Sequence, residues 1–135
     1  MQRQCELGRR WFSRCGAPAI GSCQYCGRSF CEQHGTLEDE YQEICNRPLC
    51  REKQADVRVH LTYKRQAWER NRGLRCGHPD CLERPTGQCS RCRLLFCEGH
   101  LLDRMETVRQ GFSQISRPVS VCEHCSARLQ LWSRR

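Results

Sequence analysis

Cys23–His34 reads CQYCGRSFCEQH, and Cys89–His100 reads CSRCRLLFCEGH. Both follow C-x2-C-x4-C-x2-H with Phe-Cys-Glu before the last gap, and they lie sixty-six residues apart. Cys15 and Gly21 recur at the same offset as Cys81 and Gly87, so eight of twenty positions aligned without a gap are identical. Self-similarity at a fixed offset marks a repeated structural unit. Flanking cysteines complete each unit: Cys5, Cys45 and Cys50 around the first block, and Cys76, Cys122 and Cys125 around the second. Each unit then holds seven cysteines and one block histidine, and none of the fourteen cysteines is left over.

A structural zinc ion takes four Cys or His ligands in a closed tetrahedron. Eight ligands per unit therefore predict two zinc sites per unit and four ions in the chain. Cys23 and Cys26 sit at knuckle spacing and can share one ion. From Cys26 to Cys31 an extended chain covers about 16 Å, too far for one tetrahedron. Cys31 and His34 then belong to a different ion, and the ligand pairs cross: first with third, second with fourth. This predicts Cys5, Cys15, Cys31, His34 and Cys23, Cys26, Cys45, Cys50 in the first unit. In the second it predicts Cys76, Cys81, Cys97, His100 and Cys89, Cys92, Cys122, Cys125. His78, in CGHPDC, is an alternative ligand to either neighbouring cysteine, whereas His60 and His124 read as surface residues.

Composition points the same way. The chain has 135 residues, about a tenth of them cysteine, and at that density a disulfide or metal scaffold is the default. Without cysteine, little apolar material remains for a core, and so small a unit needs staples. The N-terminal MQRQCELGRRWFSRC lacks the apolar run of a signal peptide, and no stretch approaches a membrane span. The expected compartment is the cytoplasm, or the nucleus in a eukaryote, where thiols stay reduced and bind metal rather than pair. No membrane insertion is expected.

GRSFC and RLLFC are short, apolar and follow a knuckle turn, so each is expected to form one arm of a β-hairpin, with Phe30 and Phe96 packed beneath the metal sites. After Cys50 the chain runs without Gly or Pro to Gly73. Val57, Leu61 and Trp68 fall at near-helical offsets there, and Gly73 is a helix stop. Val57, Val59, Leu61 and Tyr63 also alternate as in a strand, but the length of the run and its helix formers favour helix. A second helix is expected after Cys125, with Cys122, Cys125, Leu129 and Trp132 on one face. The expected fold class is a small metal-stabilised α+β chain: two tandem treble-clef-like zinc fingers, residues 1–72 and 73–135, each with a β-hairpin and a C-terminal helix.

CQYCGRSFCEQH with the closing VSVCEHCSARLQLW resembles FYVE-type zinc fingers, where a distal VC-x2-C opens a helix. FCEQH and FCEGH are similar to AN-one-type fingers, which use histidine as the sixth ligand, although the His-x5-His-x-Cys tail of that family is absent after His34 and His100. FYVE fingers bind phosphoinositides through a basic patch before the third cysteine and an upstream Trp-x-x-Asp. Here those stretches read PAIGSCQ, RPTGQCS and WFSR, with Arg14 in the place of the acid, so the resemblance does not carry phosphoinositide binding. Nor does it carry ubiquitin ligation, since a RING places Cys-x-His where this chain has Cys-x7-Cys.

The formal charge is +8 with cysteines counted as neutral. Ligation deprotonates thiols, so fourteen thiolates and four zinc ions leave the loaded chain near +2. Arg58, Lys64, Arg65, Arg70, Arg72 and Arg75 cluster in the joining segment with Trp68, a composition that suits single-stranded nucleic acid. The plainer expectation is a solvated helix face with Trp68 packed inward on the apolar stripe. Every predicted site is filled by protein ligands and no nucleophile–base pair or phosphate-binding glycine loop is present, so no enzyme is expected. The expected function is a non-enzymatic interaction or adaptor module for a protein partner, and the alternative is RNA or single-stranded DNA binding.

Overall fold

The computed structural model describes residues 2–8, 13–38 and 42–135. It is a small α+β chain of short hairpins and two helices. The order is β1 (Gly21–Ser22), β2 (Ser29–Phe30), β3 (Gly35–Glu38), β4 (Gln42–Cys45), α1 (Pro48–Arg72), β5 (Gly87–Gln88), β6 (Leu95–Phe96), a 3-10 turn (Glu98–His100), β7 (Leu101–Gln110), β8 (Ser113–Cys122) and α2 (Glu123–Ser133). All strands pair as antiparallel two-stranded sheets, β1 with β2, β3 with β4, β5 with β6 and β7 with β8. The chain forms two compact units, Met1–Val57 with Arg134–Arg135, and Arg58–Ser133. They divide within α1, whereas the ligand blocks place a boundary after residue 72. The physical reason is that Tyr63 and Ala67 pack on the core of the second unit. Among the described residues no helix is long and apolar enough to cross a membrane.

Each block folds as its sequence demands. The knuckle turns back on itself through Gly27 N–H to Cys23 O (2.8 Å) and Cys23 N–H to Arg28 O (2.9 Å), and the second unit repeats this with Arg93 N–H to Cys89 O (3.0 Å) and Cys89 N–H to Leu94 O (2.9 Å). The following residues form β2 and β6, which pair with β1 and β5 in the same register, Gly21 opposite Phe30 and Gly87 opposite Phe96. Phe30 and Phe96, 0% and 1% exposed, are the largest side chains of the two cores, where cysteine supplies most of the remaining buried residues. Close backbone approach explains Gly35, where a Cβ would run into the Phe30 ring.

Helix α1 begins with Pro48 in its first turn, where a missing N–H costs nothing, and ends with Arg70 and Arg72 near its negative pole. Its stop differs from expectation. Leu74, not Gly73, takes the left-handed conformation (φ 59), and the Arg75 N–H reaches back to Arg70 O at 3.1 Å while Leu74 N–H reaches Asn71 O at 3.0 Å. This is a Schellman closure with leucine where glycine is usual. The buried face also differs. Leu61 and Trp68 are 62% and 51% exposed, and the helix instead turns Lys53 and Ala67 inward, with Tyr63 beside Ala67. The inward face is polar enough to escape an apolar-periodicity reading because its polar atoms are satisfied: Lys53 Nζ donates to Arg134 O at 2.6 Å.

Two hairpins were not anticipated. β3–β4 and the longer β7–β8 carry the chain from each block histidine to the last ligand pair. β7–β8 closes through Gly111 and Phe112, with Gly111 at φ 62 and Phe112 fully exposed at the tip.

Leu74 and Arg93 each hold a left-handed backbone with an exposed side chain. That conformation costs a non-glycine residue about 1–2 kcal/mol, partly offset by the greater unfolded-state freedom of glycine. Leu74→Gly and Arg93→Gly are each expected to stabilise the second unit by about 0.5–1 kcal/mol, read as a higher denaturation midpoint of the metal-loaded protein. Gly27→Ala, at φ 76, should lower the stability of the first unit by a similar amount.

Candidate metal centres

The sixteen residues singled out by spacing converge into four groups of four: Cys5, Cys15, Cys31, His34; Cys23, Cys26, Cys45, Cys50; Cys76, Cys81, Cys97, His100; and Cys89, Cys92, Cys122, Cys125. Within each group the donor atoms all lie within 4.8 Å of one another. These are four candidate tetrahedral metal sites, and the pairs cross as the Cys26–Cys31 spacing requires.

Local structure places each donor. The knuckle supplies Cys23 and Cys26, and β4 and the first turn of α1 supply Cys45 and Cys50. In the second unit the knuckle supplies Cys89 and Cys92, β8 ends at Cys122, and the first turn of α2 holds Cys125. Cys31 and Cys97 directly follow the hairpin arms, and a tight turn brings each histidine back, with His34 N–H on Cys31 O (3.0 Å) and His100 N–H on Cys97 O (3.1 Å). Both histidines present Nδ1: His34 at 3.5 Å from Cys5 Sγ and 3.4 Å from Cys31 Sγ, His100 at 3.5 Å from Cys76 Sγ and 3.2 Å from Cys97 Sγ.

Sulfur pairs across the groups stand at 3.9 Å (Cys15–Cys31), 3.8 Å (Cys26–Cys45), 3.9 Å (Cys81–Cys97) and 3.9 Å (Cys92–Cys122). A disulfide bond measures about 2.05 Å, and all fourteen cysteines are free thiols. Thiols this crowded resist joint ionisation. Burial holds Cys45 above its usual range and pushes Cys50 up to about 11. At Cys23 burial also opposes ionisation, but the backbone N–H groups of Cys45, Tyr25 and Cys26 outweigh it and bring the thiol down to about 7. Full ionisation of such a cluster needs a cation among the sulfurs, which is the chemistry of a metal site.

Backbone N–H groups point at the sulfurs: Tyr25 at Cys23 (3.4 Å), Cys97 at Cys76 (3.2 Å), Cys122 at Cys89 (3.3 Å) and Cys125 at Cys122 (3.5 Å). The two all-cysteine groups have a further partner each. The Arg47 guanidinium is held above its usual range chiefly by the neighbouring Cys26 thiol, with smaller contributions from Cys50 and Cys45. The Tyr63 hydroxyl lies beside Cys122, and burial first, then the Cys122 sulfur, holds it far above the usual phenol range. Four thiolates carry more charge than a divalent ion neutralises, and these outer donors spread the excess. Sequence reasoning missed both. Arg47 lies between two ligands, which is a usable signal, whereas Tyr63 carries none.

His78 lies outside the tetrads. Its ring stacks on His100 (centroids 3.9 Å, planes 5° apart), and its Nε2 is 3.5 Å from Glu123 Oε2. His60 and His124 are half-buried rather than surface residues: their nitrogens approach to 3.0 Å and His124 stacks on Tyr63 at 3.9 Å. Of the basic cluster, Arg58, Lys64, Arg65, Arg72 and Arg75 are exposed with Trp68, while Arg70 Nη1 donates to Gly77 O at 2.8 Å.

Comparison of the chain with protein-family models, with curated proteins and with solved structures finds no match.

Removing an outer-shell partner of a metal ligand typically weakens metal binding about 10–100-fold. Tyr63→Phe is expected to weaken the Cys89, Cys92, Cys122, Cys125 site at least about tenfold and to leave the Cys23, Cys26, Cys45, Cys50 site unchanged. Chelator competition followed by native mass spectrometry, with the chain cleaved in α1 to separate the halves, reads both.

Proposed function

We propose that the four centres hold zinc, four ions per chain, and that the protein is a non-enzymatic interaction or adaptor module. The observation that carries this reading is closure: each centre has four protein donors, leaving no position for the water or substrate that a catalytic zinc keeps open. Thiolate lies about 2.3 Å from zinc and imidazole nitrogen about 2.0–2.1 Å, so the edges of the tetrahedron are about 3.8 Å between sulfurs and about 3.5 Å between sulfur and nitrogen. Four of the sulfur pairs stand at 3.8–3.9 Å and four of the sulfur–nitrogen pairs at 3.2–3.5 Å, in groups whose donors all lie within 4.8 Å of one another. Borderline-soft zinc suits this donor set, and an iron–sulfur cluster is less natural with an imidazole in two of the four sites.

Each unit runs knuckle, hairpin and then a helix whose first turn bears the last ligand, Cys50 in α1 and Cys125 in α2. That order supports a treble-clef, cross-braced finger of the kind resembled by FYVE-type and AN-one-type domains, repeated in tandem. A scaffold fixed by closed metal centres would act through its surface. The partner proposed is a protein, and the reduced thiols suit the cytoplasm or nucleus.

A second reading has an observation of its own. Trp68 is exposed with the Arg72 guanidinium 4.9 Å above its ring, among Arg58, Lys64, Arg65 and Arg75, and an exposed aromatic in basic surroundings is also a platform for single-stranded nucleic acid.

Native mass spectrometry is expected to show four zinc ions per chain, and a stable folded form with two or fewer would overturn the metal reading. Affinity purification of the zinc-loaded chain with and without nuclease separates the two partners: a protein that stays bound after nuclease supports the adaptor, and complete release supports the nucleic-acid reading. On the latter, binding to a single strand should fall with salt at a log–log slope of about −3 to −4 for five phosphate contacts.

A further inference from the structure

Helix α1 packs Ala67 and Tyr63 on the second unit's core and turns outward two rows of residues that repeat every seventh position. Arg58, Arg65 and Arg72 form one row, and Leu61 and Trp68 form the other. All five are exposed. A repeat of seven keeps successive side chains on one straight seam as a second helix winds alongside, because it matches two turns at 3.5 residues each. From Arg58 to Arg72 the seam is about 21 Å long. Leu61 and Trp68 leave more than half of their surface in water, and two large apolar side chains one heptad apart are the anchors by which an amphipathic helix is held.

The charge of the seam identifies its occupant. Its polar positions are all arginine, and the one acidic residue nearby, Glu69, lies at its flank. A parallel second copy of the helix would set arginine against arginine, and an antiparallel one would set the arginines against Leu61 and Trp68 with their charge unpaired, so both directions disfavour self-pairing. A nucleic acid would use the charge and Trp68 but gains no stacking from Leu61. An acidic helix uses every residue: apolar side chains against Leu61 and Trp68, and carboxylates for the arginines, whose planar guanidinium accepts carboxylate in a two-pronged bond.

We propose that the Arg58–Arg72 seam of α1 docks an acidic amphipathic helix of a partner protein, with Glu or Asp opposite the arginines and Leu-type side chains against Leu61 and Trp68. This rests on the adaptor reading and names the partner's chemistry.

The test uses the zinc-loaded full chain and a labelled synthetic four-heptad peptide with Glu at every a position and Leu at every d position, which is hindered from pairing with itself. A second peptide carries Lys for every Glu, and an oligothymidine strand serves as competitor. Fluorescence anisotropy at physiological salt is expected to show binding of the Glu peptide and none of the Lys peptide. Leu61→Ala and Trp68→Ala should each weaken it at least about tenfold, and Arg65→Glu should abolish it and confer binding of the Lys peptide. Val59→Ala, exposed but off the seam, should change nothing, and a zinc count of four in each variant shows that the fold is intact. Equal binding of both peptides, binding of neither, or displacement of the Glu peptide by oligothymidine at lower concentration than by unlabelled peptide overturns the proposal. If Trp68→Ala still retains a nuclease-resistant protein partner, the seam is wrong and the adaptor reading stands. If the Glu peptide binds as described but nuclease releases everything the chain captures, the seam's chemistry holds and the adaptor reading falls.

Discussion

Four sulfur or imidazole donors held within 4.8 Å of one another is the condition on which both units depend. Crowded, buried thiols repel each other's charge and are shielded from water, so the arrangement is unfavourable until a cation joins them. Little else holds the chain. The largest fully buried apolar side chains are Phe30, Ile44, Phe96 and Val121, and cysteine fills most of the remaining core. The rings of Phe30 and Phe96 have glycine at close quarters, Gly35 and Gly77 respectively, because a core with so few side chains must bring backbone directly onto them.

The two units answer one electrostatic demand with different residues. At Cys26 it is a guanidinium, that of Arg47, which directly offsets charge. At Cys122 it is a neutral hydroxyl, that of Tyr63, which keeps its proton and offers only a dipole. Position sixty-six residues on from Gly35 is Leu101, and in the second unit the tight approach moves to Gly87, where a Cβ would meet Leu101 Cδ1 at 2.7 Å. The shared feature of the repeat is thus the ligand frame, and the packing inside it has been solved twice.

This bears on what the residues alone could reveal. Ligand grouping was legible because it obeys reach: the rest of the knuckle turn and strand β2 separate Cys26 from Cys31. The hairpin arms at Phe30 and Phe96 and the extent of α1 were legible for similarly local reasons. The orientation of α1 was not. Apolar spacing assigned Leu61 and Trp68 to the interior, whereas the helix buries Lys53, whose ammonium finds Arg134 O, and half-buries Tyr63 beside Cys122. Those partners lie far along the chain, and no local pattern announces them. The same holds for His60 and His124, which meet sixty-four residues apart, and for Leu74, where Schellman hydrogen bonds impose a left-handed turn on a residue that does not prefer it.

The crossed order of the ligands has a consequence for how the chain is made. No centre can be completed by a local stretch: the first closes only with His34 and the second only with Cys50, each after the chain has passed through its neighbour's donors. Two knuckles of the same cysteine spacing also mean that an unfolded chain presents Cys23 and Cys26 as fit companions for Cys122 and Cys125. Emergence from the ribosome in one direction removes that ambiguity, since the N-terminal unit has all eight of its donors before any of the second unit's appear. That ordering is absent when the whole chain is refolded from denaturant, where all sixteen donors are present at the outset.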